Sequence, residues 1–291
     1  MGAIIVVDSF WGDSGKGKVA AYVTIRENSD LCIRAGIGTN AGHSVYKENG
    51  EMIKTRQLPL GFMREKTHLA IGSGVAVDPE ILFAEIERYN LHGRVKVDYR
   101  CPIITPNHIQ QEKNSNHLLS TIGSTASGSG RCQSDFVMRT AKQARDIDRL
   151  KDFVVYVAQI ANDRAKKETI IIECSQGTYL SLALSPEYPY VTSGNCTVIA
   201  AADDVGLNWK NIQGAVMVVK SIPSRVGTGP LPDEISKEEI LSRGIAEYGV
   251  VTGRLRRKTN SLPWEHLKYA TMLNAPTEIA LTFCDHYDPL S

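Results

Sequence analysis

The sequence lacks an excess of charge of either sign. Its 33 basic and 32 acidic residues leave a formal net charge of +1, so it has no global electrostatic footprint for nucleic acid or an anionic membrane, and anions must be bound by local clusters. It lacks any apolar run near the ~20 residues that a membrane helix needs. An apolar strand-like stretch begins at the N-terminus with no charged leader before it, so a soluble, cytoplasmic protein is expected. Cysteine is sparse: Cys32, Cys101, Cys132, Cys174, Cys196 and Cys284 are the six, with no Cys-x-x-Cys spacing among them. That scatter argues against zinc and for reduced thiols. What 291 residues do allow is one large α/β core, with or without an appended lobe.

The most informative stretch runs from Trp11 to Lys18, Trp-Gly-Asp-Ser-Gly-Lys-Gly-Lys. The residues before it, 3–7, are short, apolar and β-branched, as in a buried parallel strand, and the glycines then turn the chain into a helix. Backbone N–H groups at Gly12, Gly15 and Gly17, the helix dipole, and the charges of Lys16 and Lys18 together make a phosphate cradle. The spacing fits G-x-x-x-x-G-K from Gly12 to Lys18, but Val19 stands where the usual P-loop has a magnesium-binding hydroxyl. Asp13 is the only carboxylate in the loop. A carboxylate there repels phosphates unless a metal or a proton-transfer task offsets it, so Asp13 is the first candidate for chemistry.

Further along, residues 19–25 continue the helix and 31–34 read as a second strand. A glycine-rich loop, 35–44, follows with Asn40 and His43, and His43 is suited to stabilising developing negative charge beside the phosphates. Residues 70–77 and 102–105 read as strands, 80–89 as a scaffold helix, and 107–117 as a surface helix or loop. Ser124 and Thr125 lie among glycines and hydroxyls ahead of Arg139, which reads as a second phosphate site, with a flexible linker as the alternative. Residues 146–167 show helical periodicity, 169–174 and 214–219 read as strands, and Gln176 and Thr192 suit a base edge and a phosphate or ribose oxygen. In residues 248–258, arginines behind a glycine hinge suit a small dicarboxylate better than nucleic acid, because no second basic run tracks a backbone. A last strand, 278–282, leads to Asp285.

Jointly, Trp11-Gly-Asp-x-Gly-Lys-Gly-Lys18, Asn40-Ala-Gly-His43, Gly72-x-Gly-Val-x-x-Asp-Pro79, Tyr188-Pro-Tyr-Val-Thr-Ser193, Arg225-Val-Gly-x-Gly-Pro230 and Thr252-Gly-Arg-x-Arg-Arg257 resemble the adenylosuccinate synthetase family over nearly the whole chain. The resemblance implies an α/β fold with a P-loop-like, mostly parallel central sheet flanked by helices. It implies one domain over residues 1–291 with small sub-domain insertions and a shortened C-terminus. It also implies a homodimer and a magnesium-dependent ligase of two steps. In those steps Asp13 removes the purine N1 proton while a γ-phosphoryl moves to O6, helped by His43, and the amine of L-aspartate then displaces phosphate. By resemblance Ser14, Asn40, Ser124, Thr125, Gln176, Thr192 and Arg254 hold the nucleoside monophosphate, with Arg139 reaching across from the second subunit. Gly12, Gly15, Lys16, Gly17, Lys18, Gly42, Ser44, Arg256 and Asp285 hold the triphosphate. Val251, Thr252, Gly253, Arg254 and Arg256 hold aspartate, and Asp13 and Gly42 hold the metal.

The sequence departs from the family pattern where specificity resides. Ser14 replaces the usual Glu, Ser127 an arginine and Phe283 a lysine. Ser14 offers room and an acceptor for a 2-amino group, which left unpaired in a buried site costs about 1–3 kcal/mol. This resembles the phage branch of the family, N6-succino-2-amino-2′-deoxyadenylate synthase, so dGMP is the expected acceptor, ATP or dATP the expected donor with GTP possible, and the host cytoplasm the setting. Two alternatives stand: the ordinary reaction of IMP with GTP, and a nucleotide-binding regulator without turnover.

Overall fold

The computed structural model describes residues 1–249 and 253–286. In chain order its elements are β1 (Gly2–Asp8), α1 (Lys16–Arg26), β2 (Leu31–Arg34), β3 (His43–Tyr46), β4 (Met52–Thr55), β5 (His68–Ile71), α2 (Pro79–Arg88), β6 (Val95–Asp98), α3 (Pro106–Lys113), α4 (Ser129–Val137), β7 (Val154–Val155), α5 (Val157–Ala165), β8 (Thr169–Glu173), α6 (Val198–Val205), β9 (Ile212–Lys220), β10 (Ser224–Arg225), α7 (Lys237–Ser242), β11 (Arg257–Lys258), α8 (Trp264–Asn274) and β12 (Glu278–Thr282). Eight strands form one sheet in the order β12-β9-β1-β8-β2-β5-β6-β7, and every pairing in it is parallel. The pairs β3–β4 and β10–β11 are small antiparallel additions.

A parallel sheet covered on both faces needs strands that are apolar on both faces. β1 meets this: Ala3, Ile5 and Val7 enter one buried cluster with residues of α5, α6 and α8, while Ile4 and Val6 enter the other with residues of α1 and α2. Each such Ile or Val stabilises the fold by about 1.5–3 kcal/mol relative to exposure. Among the described residues, no helix is long and apolar enough to cross a membrane.

Parallel strands deliver all their C-terminal ends to one edge, where ligands of open α/β sheets bind. Here the four adjacent strands β9, β1, β8 and β2 end in Lys220, Asp8, Glu173 and Arg34. All four are at most 1% exposed. Burying such charges is costly unless they are paired. Their pairing builds the floor of the site.

Three sequence expectations need correction. The strand expected over 70–77 stops at Ile71, because Gly74 N–H and Ser73 Oγ turn to the Asp204 carbonyl. Residues 102–105 form no strand, only single bridges, Val77 to Ile103 and Pro102 to Gln143; a proline cannot donate to a ladder. The helix expected over 146–167 is instead a 3-10 turn, the short strand β7 pairing with β6, and α5. Most of residues 107–117 belongs to α3, Pro106–Lys113, whose start is capped by Thr105.

Candidate functional site

The glycine loop expected to hold phosphate follows β1 and enters α1 through Gly15, whose φ of +87° favours glycine. Gly17 is required for a different reason. A Cβ there would lie 2.5 Å from the Leu60 side chain and 2.8 Å from His43 Cβ, so its absence lets His43 approach the helix N-terminus. Lys16 is nearly fully buried, and its Nζ pairs with the Asp8 carboxylate at 3.1 Å. Its charge is therefore paired inside the fold, although the residue still lines the cavity. Lys18 sits between the rings of Tyr46 and Phe283, 5.4 and 5.9 Å from their centroids.

Asp13 has a left-handed φ of +52°, and its carboxylate is ion-paired with the Arg256 guanidinium. Ser14 is 1% exposed, and its hydroxyl has no hydrogen-bond partner among the described residues. Both residues line a cavity of about 740 Å³.

His43 is the first residue of β3 rather than part of a loop. Its Nδ1 contacts the Glu173 carboxylate and lies 2.8 Å from Arg34 Nη1, which is itself 2.8 Å from Glu173. Glu173 also accepts the Leu60 N–H at 2.8 Å. Burial, then the Arg34 charge, push the imidazole down to about 4 despite the opposing pull of Glu173. The ring is therefore neutral at pH 7, with Nδ1 fixed by strand-end charges and Nε2 3.4 Å from the same Arg34 Nη1.

Three residues far apart in sequence meet on the cavity wall. Gln176 donates to Asn40 Oδ1 at 2.9 Å, and Asn40 donates to Thr192 Oγ1 at 3.1 Å. Gln176 Oε1 is buried and unpartnered among the described residues, an acceptor awaiting a donor. Ser124 and Thr125 also line the cavity, as do Gly12, Gly15, Lys16, Gly17, Lys18, Gly42, Ser44 and Arg256. At the neighbouring helix N-terminus the Gly128, Gly130 and Arg131 amides bond to Glu112 at 2.7, 2.8 and 3.1 Å.

Arg139, Gly253, Arg254 and Asp285 do not line the cavity. Arg139 is exposed just past α4, beside the exposed apolar Val137 and Met138. Val251 and Thr252 lie outside the described residues. In the Arg225 to Pro230 motif the Arg225 guanidinium is buried against Glu187 and donates to the Tyr190 and Pro230 carbonyls at 2.6 and 2.8 Å, while Arg225, Val226 and Gly227 also line the cavity.

Sequence reasoning missed Glu173, Arg34, Lys220 and Glu247. The first three carried a readable signal, a charged residue closing an apolar strand; Glu247 carried none. Among the described residues no cluster of three or more His, Cys, Asp or Glu side chains forms a metal cage. A magnesium ion held mainly by phosphate oxygens and water needs only one or two protein oxygens, a donor set that Asp13 and Gly42 fit at the cavity wall.

The adenylosuccinate synthetase family model matches residues 5–160 and 147–291. The chain is 44% identical to the adenylosuccinate synthetase of Thermococcus onnurineus over 99% of its own length and 85% of the relative. It is 43% identical to that of Archaeoglobus fulgidus with the same coverage. Among solved structures, fully ligated adenylosuccinate synthetase from Plasmodium falciparum superposes with a TM-score of 0.91 at 25% identity, over 100% of this chain and 78% of that one. The succinoaminodeoxyadenylate synthetase of cyanophage S-2L, bound to dGMP and dATP, superposes with a TM-score of 0.85 at 24% identity, over 98% of this chain and 85% of that one. This last likeness speaks to the fold alone.

Proposed function

The chain belongs to the adenylosuccinate synthetase family, nucleotide-dependent C–N ligases, and from that premise we propose that it joins L-aspartate to C6 of a 6-oxopurine nucleoside monophosphate, with a nucleoside triphosphate as phosphoryl donor. The observation that carries this reading is the convergence of Asn40, Gln176 and Thr192 on the cavity that also holds Asp13 and His43.

In this reading the Asp13 carboxylate takes the N1 proton, so that electrons reach O6 and O6 attacks the γ-phosphorus as the bond to the β-phosphate oxygen breaks. His43, on the same cavity wall, stabilises the developing charge. The purine C6–O bond then breaks as the aspartate amine attacks C6, and phosphate leaves with O6, taking up the proton that the amine gives up. Phosphorylation is needed because an oxo group is otherwise a poor leaving group. Bound magnesium supplies charge neutralisation to the phosphates. Asn40, Ser124, Thr125, Gln176 and Thr192 hold the monophosphate, the phosphate loop holds the donor, and the segment carrying Arg254 and Arg256 holds aspartate.

IMP is the acceptor best supported, because the archaeal relatives at 42–44% identity are named adenylosuccinate synthetases. This favours the ordinary reaction, with GTP, over the dGMP expectation. A second reading keeps dGMP, with ATP or dATP as donor, on one observation. The buried Ser14 hydroxyl has no partner among the described residues, as an acceptor for a 2-amino group would before substrate binds. In both readings exposed Arg139, flanked by apolar side chains, completes the phosphate site of a second subunit in a homodimer.

The test is phosphate release from purified protein with magnesium and L-aspartate, comparing IMP with dGMP and GTP with ATP and dATP. Release with IMP alone supports the ordinary ligase, and release with dGMP gives Ser14 its role. Tight nucleotide binding without any release contradicts both and favours a regulator.

A further inference from the structure

Lys220 ends β9 at the sheet edge and is 1% exposed. An ammonium has three N–H bonds, and here all three have oxygens. Nζ donates to the Asp13 carbonyl at 3.2 Å, to Ser224 Oγ at 2.7 Å, and to the Glu247 carboxylate at 2.7 and 2.9 Å. The Phe283 ring closes the remaining side, its centroid 4.2 Å from Nζ. A buried charge so completely satisfied holds its neighbours in one geometry.

What it holds at one corner is the backbone of Asp13. That residue is in the left-handed region at φ +52°, directly after Gly12 at +89°. A side chain bearing a Cβ stays there only where its surroundings over-determine the conformation. A grip on the Asp13 carbonyl fixes the peptide plane and, through it, the direction of the carboxylate.

At the opposite corner is Glu247. Its carboxylate is shared with Lys258, which is fully buried and pushed down to about 8 by burial and then by Lys220. The Glu247 carbonyl accepts the Arg256 N–H at 2.9 Å, Tyr248 bridges Leu255, and Gly249 N–H reaches the Arg254 carbonyl at 2.9 Å. Glu247 is thus the root of the paired flanks that carry Arg254 and Arg256. Arg256 in turn grips the Asp13 carboxylate. Asp13 is held twice by one unit, through its main chain by Lys220 and Glu247 and through its side chain by Arg256.

We propose that Lys220 is a positioning residue for Asp13, and that Glu247 ties this grip to the flanks bearing Arg254 and Arg256, so that the base and the dicarboxylate-binding segment are placed as one body. The proposal rests on the reading of Asp13 as the base. It assigns Lys220 no contact with substrate.

The test compares Lys220→Met, Lys220→Arg and Glu247→Gln with the parent protein. Met fills a similar volume, and Lys258 remains on Glu247, so the carboxylate is not orphaned. A misaimed base costs on the order of 100-fold in kcat, and that loss is expected in Lys220→Met with KM for the monophosphate changed less than about threefold. Lys220→Arg keeps the charge and donors and is expected to recover part of the rate. Glu247→Gln is expected to lower kcat and to raise KM for L-aspartate together; it carries the test if the Met variant does not fold. A folded Lys220→Met protein with parental kcat overturns the proposal, as do a Lys220→Arg protein no faster than a folded Lys220→Met protein, a Glu247→Gln protein with parental kcat and KM, and a loss that only tracks the folded fraction. If the parent releases no phosphate with IMP or dGMP, the functional reading fails instead. Amide exchange then decides this proposal: Lys220→Met is expected to speed exchange at the amides of residues 12–15 by about tenfold or more, and parental exchange there overturns it.

Discussion

The guanidinium of Arg256 is ion-paired with the carboxylate of Asp13, joining the first glycine loop of the chain to its last basic cluster. The pair fixes the direction of the carboxylate, and on the proposed reading it makes the base the meeting point of the glycine loop and the segment that holds aspartate. Asp13→Asn keeps the size but cannot accept the N1 proton. It is expected to lower kcat by about 100-fold or more while monophosphate binding by calorimetry changes less than about threefold. Retention of most of the rate removes Asp13 from the mechanism.

Ser14 is buried with an unpartnered hydroxyl. Replacing it with glutamate fills the space and sets a carboxylate beside the base edge. Ser14→Glu is expected to lower kcat/KM for dGMP relative to IMP by about tenfold or more, the scale of one lost buried hydrogen bond. An unchanged ratio, measured in parallel assays, removes Ser14 from acceptor discrimination.

Much of this was legible from residue order. Strands β1, β2, β9 and β12 announced themselves as short apolar runs, and the glycine spacing from Gly12 to Lys18 marked the loop. Asn40, Gln176 and Thr192 could each be suspected, but not their mutual contact, because that depends on which strand lies beside which. The pairing of β8 with both β1 and β2 brings Gln176 beside the glycine loop after β2. The helix expected over 146–167 failed because Val154 falls on the helical stripe of Ile147, Leu150, Val157 and Ile160 as well as in the strand Val154–Val155, and edge pairing with β6 decides between them. The capture of three amides by Glu112 was illegible, since the carboxylate comes from a separate helix.

His43 gives a pH dependence of defined sign. Its pKa is about 4 in the fold against 6.5 in the unfolded chain, so between those values the unfolded state binds the extra proton. Stability contributed by neutral His43 is therefore present above pH 6.5 and is lost as pH falls toward 4. Relative to His43→Asn, the parent is expected to lose about 3 kcal/mol of unfolding free energy over that interval, measured by urea titration at a series of pH values. A constant difference contradicts the buried, neutral imidazole.

Arg139 stands outside the cavity that it is proposed to serve. Arg139→Leu is expected to raise KM for the monophosphate by about tenfold or more, the scale of a lost charged hydrogen-bonding clamp. Mixing it with Asp13→Asn is expected to restore activity, because hybrid dimers contain one native site. At equal amounts with free exchange, about a quarter of parental activity should return. No recovery after subunit exchange contradicts the shared site.

The central claim is that O6 is phosphorylated before aspartate attacks. The most direct measurement is turnover with L-aspartate and whichever of IMP or dGMP supports release, labelled with oxygen-18 at O6, followed by mass analysis of phosphate and nucleotide. The account predicts that each phosphate released carries the labelled oxygen and that a succinylated nucleotide appears in equal amount. Unlabelled phosphate, from plain hydrolysis of the triphosphate, would contradict it.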